Sequence, residues 1–103
     1  ADDPGEQSNP FRVKPSDLDM NMHTNNVNYI RWAADTYKPE FTKSFAPETV
    51  EANYLAESRW DEEITIHTSG DAKDPLSFKH SIVRIVDNTE LCRVRIDWKD
   101  CRL

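Results

Sequence analysis

From residue 49 to residue 99 the chain is written almost entirely in the two-residue period of β-strands, and only one earlier stretch carries the period of a helix. Strands are expected at 49–58, 63–68, 76–86 and 90–99. In the last of these Cys92, Val94, Ile96 and Trp98 share one face, while Arg93, Arg95 and Asp97 share the other. Residues 87–90, Asp-Asn-Thr-Glu, read as the turn before it. Phe11-Arg12-Val13, bounded by Pro15, reads as a short edge strand. The helix is expected over 25–37, where Val27, Ile30, Ala34 and Tyr37 recur at helical spacing. Thr24, Asn25 and Asn26 are its candidate N-caps, Pro39 is its stop, and 38–45 is a candidate second helical turn. One mostly apolar helix must be buried, and only a curved sheet is available to bury it. The order strand, helix, four antiparallel strands therefore implies an α+β hotdog fold, an antiparallel sheet wrapped around a central helix.

With 103 residues the chain is expected to be one domain, spanning 11–103. Residues 1–10, polar and holding two prolines and a glycine, read as a linker or an expression remnant. The net charge of −6 argues against nonspecific nucleic-acid binding, which needs a cationic surface. No apolar run reaches membrane-spanning length, and the acidic N-terminus is no signal peptide. Cys92 and Cys101 fit no metal-binding or redox spacing, so no metal or cofactor is expected. Free thiols of a cytoplasmic protein are expected in preference to a disulfide.

Residues 17–29 carry the chemistry. Asp19, Asn21 and His23 alternate directly ahead of the helix, and a run of amides, Asn25 and Asn26, opens it. A polar capping loop is one reading. The other is a site for a polarised carbonyl, because the free N–H groups and dipole of a helix start stabilise developing negative charge. A hydrolase also needs a group to activate water, and Glu57 stands in an otherwise apolar expected strand. If it faces the helix start, burial would tune it for general-base work. Asp61, Glu62 and Glu63 read as a solvated turn. His67 and His80 read as partly buried structural histidines, and Trp32, Trp60 and Trp98 as core or interface residues. Met20 and Met22, alternating with the polar triplet, read as loop anchors in the core or lining of an apolar tunnel. Ser58 sits in no nucleophile elbow, which argues against a serine hydrolase.

Residues 16–32 resemble the signature of acyl-acyl carrier protein thioesterases, which in one-letter form reads DxDxNxHxNNxxY. Residues 53–58, with Glu57 three after Tyr54, look like that family's second block, and 90–98 like its last strand. The resemblance implies a hotdog fold and hydrolysis of fatty acyl thioesters of acyl carrier protein. It carries Asp19, Asn21, His23 and Glu57 over as the catalytic network. In that network Glu57 deprotonates water with His23 and Asn21, and Asp19 fixes the loop. Asn25, Asn26 and Val27 lie on the substrate side, where amides polarise the carbonyl. Plant members often carry Cys after the Glu; Ser58 here excludes a cysteine nucleophile at that position.

Family members usually hold two hotdog repeats, and this chain resembles the second. An excised domain is therefore implied, pairing with the other repeat or forming a homodimer. Because carrier proteins of this pathway are acidic, docking would need a local basic patch, and Arg12, Lys14, Arg31, Lys38 and Lys43 are the candidates. Two other readings stay open: a single-hotdog acyl-CoA thioesterase acting as a homodimer, and a non-catalytic acyl-binding hotdog module. The expected compartment is the bacterial cytoplasm, with the plastid as the alternative.

Overall fold

A computed structural model of the chain describes residues 6–102. Two short strands open it, β1 (Glu6–Gln7) and β2 (Phe11–Arg12). They are followed by α1 (Val27–Ala34), α2 (Pro39–Thr42), β3 (Phe45–Tyr54), β4 (Glu63–Gly70), β5 (Ser77–Arg84) and β6 (Thr89–Asp100). The sheet runs β1-β4-β5-β6-β3, with β2 also on β4, and every pairing is antiparallel. After the helices the chain therefore crosses to the far edge. There β3 pairs with β6, its partner at the other end of the sequence. This is the hotdog architecture that the element order implied. No helix among the described residues is long and apolar enough to cross a membrane.

Burial follows the alternation in the strands, but α1 buries Asn28, Tyr29, Trp32 and Ala33 and not the expected stripe: Val27 and Ala34 are exposed, and Ile30 and Tyr37 only half-buried. Tyr29, Trp32 and Ala33 of α1 form one cluster with Ile64 and Ile66 of β4, Ile82 of β5, and Cys92, Val94, Ile96 and Trp98 of β6. The helix ends three residues before the periodicity does. Thr36 turns its hydroxyl and its N–H onto the Ala33 carbonyl, and Pro39 then opens α2 instead of merely stopping α1. The supposed linker divides: residues 1–5 lie outside the described residues, whereas Ser8 exchanges two bonds with Ile66, N–H to carbonyl at 2.8 Å and Oγ from N–H at 2.9 Å. A polar composition serves an exposed edge strand as readily as a linker. The expectation for His67 fails, since it is exposed on the outer side of β4; Trp60, exposed in a turn, is excluded from the core, which leaves only the interface half of its reading. Glu62 and Glu63 are half-buried, and Glu62 takes an ion pair from Arg84. Cys92 and Cys101 are both free, and burial pushes the Cys92 thiol up to about 11.

His80 is fully buried inside the sheet. Its Nε2 meets the Tyr37 hydroxyl at 2.7 Å and its Nδ1 the Thr68 hydroxyl at 2.9 Å. Burial disfavours the imidazolium and lowers its pKa from 6.5 to about 4. The unfolded chain therefore binds a proton that the folded one refuses between those values. Stability should be complete above pH 6.5 and fall by up to about 3 kcal/mol as pH drops towards 4. Asp87, Asp97 and Asp100, each held down to about 2, titrate below that window. Urea unfolding at pH 7 and pH 4.5 measures the loss, and His80→Gln should remove most of the difference.

Candidate functional site

The loop ahead of α1 is a small hairpin. Leu18 pairs with Thr24, the Asp19 N–H donates to the His23 carbonyl at 2.8 Å, and the Met22 N–H returns to the Asp19 carbonyl at 3.0 Å. The Asp19 carboxylate accepts the N–H groups of Asn21 (2.9 Å) and His23 (3.2 Å), so it holds the tip in shape from within. Closing so tight a turn drives Met22 to φ 63°, a conformation that costs a non-glycine residue about 1–2 kcal/mol. Met20 and Met22 do not anchor this loop in the core. They are 99% and 63% exposed at the hairpin tip. Asn21 is exposed at the same tip, and its side chain has no partner among the described residues.

Glu57 arrives from the opposite direction, and not on a strand. β3 pairs with β6 as far as Tyr54 opposite Cys92. At that point β6 carries one extra residue against β5, since Ile82 faces Cys92 but Val83 faces Glu90. The bulged residue, Leu91, offers its carbonyl to the N–H groups of both Leu55 (2.9 Å) and Ala56 (3.1 Å). That double bond ends the strand and turns residues 55–59 across the start of α1. The Glu57 side chain is 67% exposed rather than buried, and its Oε2 lies 3.5 Å from His23 Nδ1.

What holds the two loops together is a buried chain of hydroxyls. Ser58 Oγ donates to Thr24 Oγ1 at 2.6 Å and lies 2.8 Å from the Tyr29 hydroxyl. The single Ser58 proton is committed to Thr24, so Tyr29 must donate to Ser58. Burial also raises the Tyr29 pKa and keeps that proton in place. Beside it the Thr24 N–H donates to the Ser58 carbonyl at 2.9 Å, and His23 pairs with Arg59 as an isolated antiparallel bridge. Ser58 is thus a tie between the loops, with no free proton to spend as a nucleophile. Asp17 is a second buried anchor. Its carboxylate takes the Lys14 N–H at 2.8 Å and the Arg31 guanidinium at 2.5 Å. Its carbonyl takes the Asn25 N–H at 2.8 Å and the Asn28 amide at 2.9 Å. Neither role is visible from residue type, because Asp and Ser are ordinarily exposed.

At the start of α1 the Val27 N–H is satisfied by Asn25 Oδ1 at 3.2 Å, and the Asn28 N–H by the Asn25 carbonyl at 2.9 Å. With the Asn25 N–H on Asp17, the Asn26 N–H is left with no acceptor among the described residues. Asn25, Asn26 and Val27 are all exposed there. Of the five candidate docking cations, Arg12, Lys14 and Arg31 line one shallow pocket beside α1, where Arg12 is engaged by Asp61 and Arg31 by Asp17, while Lys38 and Lys43 flank α2, beyond the far end of the helix.

Comparison with known proteins bears on the family and the fold. Residues 2–100 match the family model of the acyl-ACP thioesterase C-terminal domain. A chloroplastic oleoyl-acyl carrier protein thioesterase of Coriandrum sativum is 31% identical over 95% of this chain, which spans 33% of that relative. An acyl-ACP thioesterase structure from Bacteroides thetaiotaomicron superposes with a TM-score of 0.80 at 23% identity, over 91% of this chain and 37% of that one. The probable thioesterase YbaW of Escherichia coli superposes at 0.75 with 16% identity, over 89% of this chain and 79% of that one. The chain therefore spans about a third of the plant relative, and most of the shorter bacterial fold relative.

Proposed function

The chain belongs to the acyl-ACP thioesterase C-terminal domain family, and on that premise we propose that it supplies the catalytic half of a fatty acyl-acyl carrier protein hydrolase. The observation that carries the proposal is the meeting of His23 and Glu57, 3.5 Å apart, on two loops that are each pinned from below by buried bonds. In this reading the Glu57 carboxylate takes a proton from a water molecule oriented by His23 and Asn21. The water oxygen attacks the thioester carbon, and the carbonyl oxygen gathers charge against the open Asn26 N–H and the helix dipole. The carbon–sulfur bond then breaks. The thiolate takes the proton, leaving free fatty acid and the carrier thiol. Asp19 acts through the loop by fixing the backbone that presents Asn21 and His23.

The exposed surroundings of this site support a partner that covers it. Met20, Met22, Val27, Tyr54 and Leu55 are all exposed near it, and β3 is an edge strand with one side unpaired among the described residues. In our reading a second hotdog repeat, or a second copy of this chain, closes that side. The bacterial fold relative, most of whose length is one such domain, keeps the single-hotdog acyl-CoA reading as the second candidate.

One experiment separates them: hydrolysis of the same acyl chain on carrier protein and on coenzyme A, with mass measured in solution. A clear preference for the carrier-protein ester supports the proposal. Preference for the coenzyme A ester by a homodimer sinks it in favour of the second reading. A folded protein that binds either ester without turnover would leave only an acyl-binding module.

A further inference from the structure

We propose that Arg59 binds the phosphate of the phosphopantetheine arm on which the acyl thioester is delivered. The inference rests on the hydrolase reading above and extends it to the part of the substrate beyond the reacting bond. Among the described residues, Arg12, Arg31, Arg84, Arg93, Arg95 and Arg102 each pair with a carboxylate. The Arg59 guanidinium has no such partner and is exposed. Its position is not that of a stray surface cation. Arg59 stands directly opposite His23 in an antiparallel bridge, so the two side chains leave the same face of the ribbon. Glu57, two residues earlier, leaves that face too, as its contact with His23 requires.

The neighbouring acid is already occupied. The Glu62 carboxylate accepts the Arg59 N–H at 2.6 Å and pairs with Arg84 at 3.4 Å. This fixes the Arg59 backbone while leaving its guanidinium unclaimed. In a chain of net charge −6 a free, well-supported arginine beside the candidate site is the exception. A guanidinium there is suited to a phosphate, whose oxygens match its fork of donors. Both carriers of acyl thioesters, coenzyme A and carrier protein, present the acyl group on an arm that is neutral along its amides and anionic at the phosphate. One arginine beside His23 and Glu57 would therefore serve either, and steer it towards the site.

The test compares dodecanoyl-pantetheine, which lacks the phosphate, with dodecanoyl-phosphopantetheine and dodecanoyl-carrier protein, on wild type, Arg59→Gln and Arg59→Lys. The ratio of kcat/KM for the phosphorylated over the unphosphorylated small ester should fall roughly five- to tenfold in Arg59→Gln, carried by KM, and recover in part in Arg59→Lys. An unchanged ratio overturns the proposal. So does an effect confined to the carrier-protein ester, which would place Arg59 against the carrier's acidic surface instead. Titration with the non-hydrolysable S-dodecyl-phosphopantetheine thioether gives the same comparison without chemistry. If nothing is hydrolysed but the thioether still loses affinity in Arg59→Gln, the hydrolase reading fails and the phosphate site stands. Equal affinity in the two proteins removes the site.

Discussion

Replacing Glu57 by Gln lowers kcat for thioester hydrolysis by about 10²–10⁴-fold, the range that a positioned general base contributes. The unfolding midpoint should barely move. Glu57 is exposed, and its side chain's recorded contact is the one with His23, so nothing in the core depends on it. Gln keeps the shape and loses the basic oxygen, which separates proton transfer from packing. His23→Ala should cost a similar factor, and the double variant should lose little more than either single one. Two groups that act on one water fail together, and their effects do not multiply. Multiplicative losses would mean that the two residues work on separate steps.

Asp17→Ala should be the most damaging single change to the fold around the site, at about 3 kcal/mol. Removing the carboxylate leaves the Lys14 N–H without its acceptor and Arg31 without its short ion pair. The cost stays below that of a fully buried pair because Arg31 is half exposed and can turn to water and to Asp35. The loss reaches the chemistry too. Asp17 holds Asn25 and Asn28 through its carbonyl, and that carbonyl shares its three-residue turn with the carboxylate's anchor at Lys14. Urea unfolding gives the stability term, and activity measured well below the new midpoint gives the positional one. Asp17→Asn, which keeps one acceptor oxygen, should recover part of both.

The loop ahead of the helix was legible because its information is local. Alternation set Asp19, Asn21 and His23 on one hairpin, and the helical spacing after them located α1 but not its buried face, which is Asn28, Tyr29, Trp32 and Ala33 instead of Val27, Ile30 and Ala34. Glu57 was legible as a residue but misplaced as a strand position. Its actual course depends on the bulge at Leu91, which lies 34 positions later in the chain and leaves no mark on the periodicity of residues 49–58. The same holds for β3: nothing in its own pattern says that it pairs with β6 at the far edge of the sheet. Met20 and Met22 were misread because an apolar side chain argues for burial, whereas a hairpin tip overrides that argument by geometry. Asp17 and Ser58 erred in the other direction, as polar residues buried only because every donor and acceptor around them is matched. Arg59 carries no signal at all in the sequence. It becomes visible only once His23 is seen opposite it.

Whether the Glu57–His23 pair activates water against a thioester is read out by a single turnover in heavy-oxygen water. With enzyme in excess over a fatty acyl-carrier protein ester, the account predicts heavy oxygen in the released acid and none in the peptide containing Glu57. Heavy oxygen in Glu57 would mean that the carboxylate attacked the carbonyl itself and that water then opened an anhydride. Failure of the intact, folded protein to release acid, alone or completed by a second repeat, would contradict the account altogether.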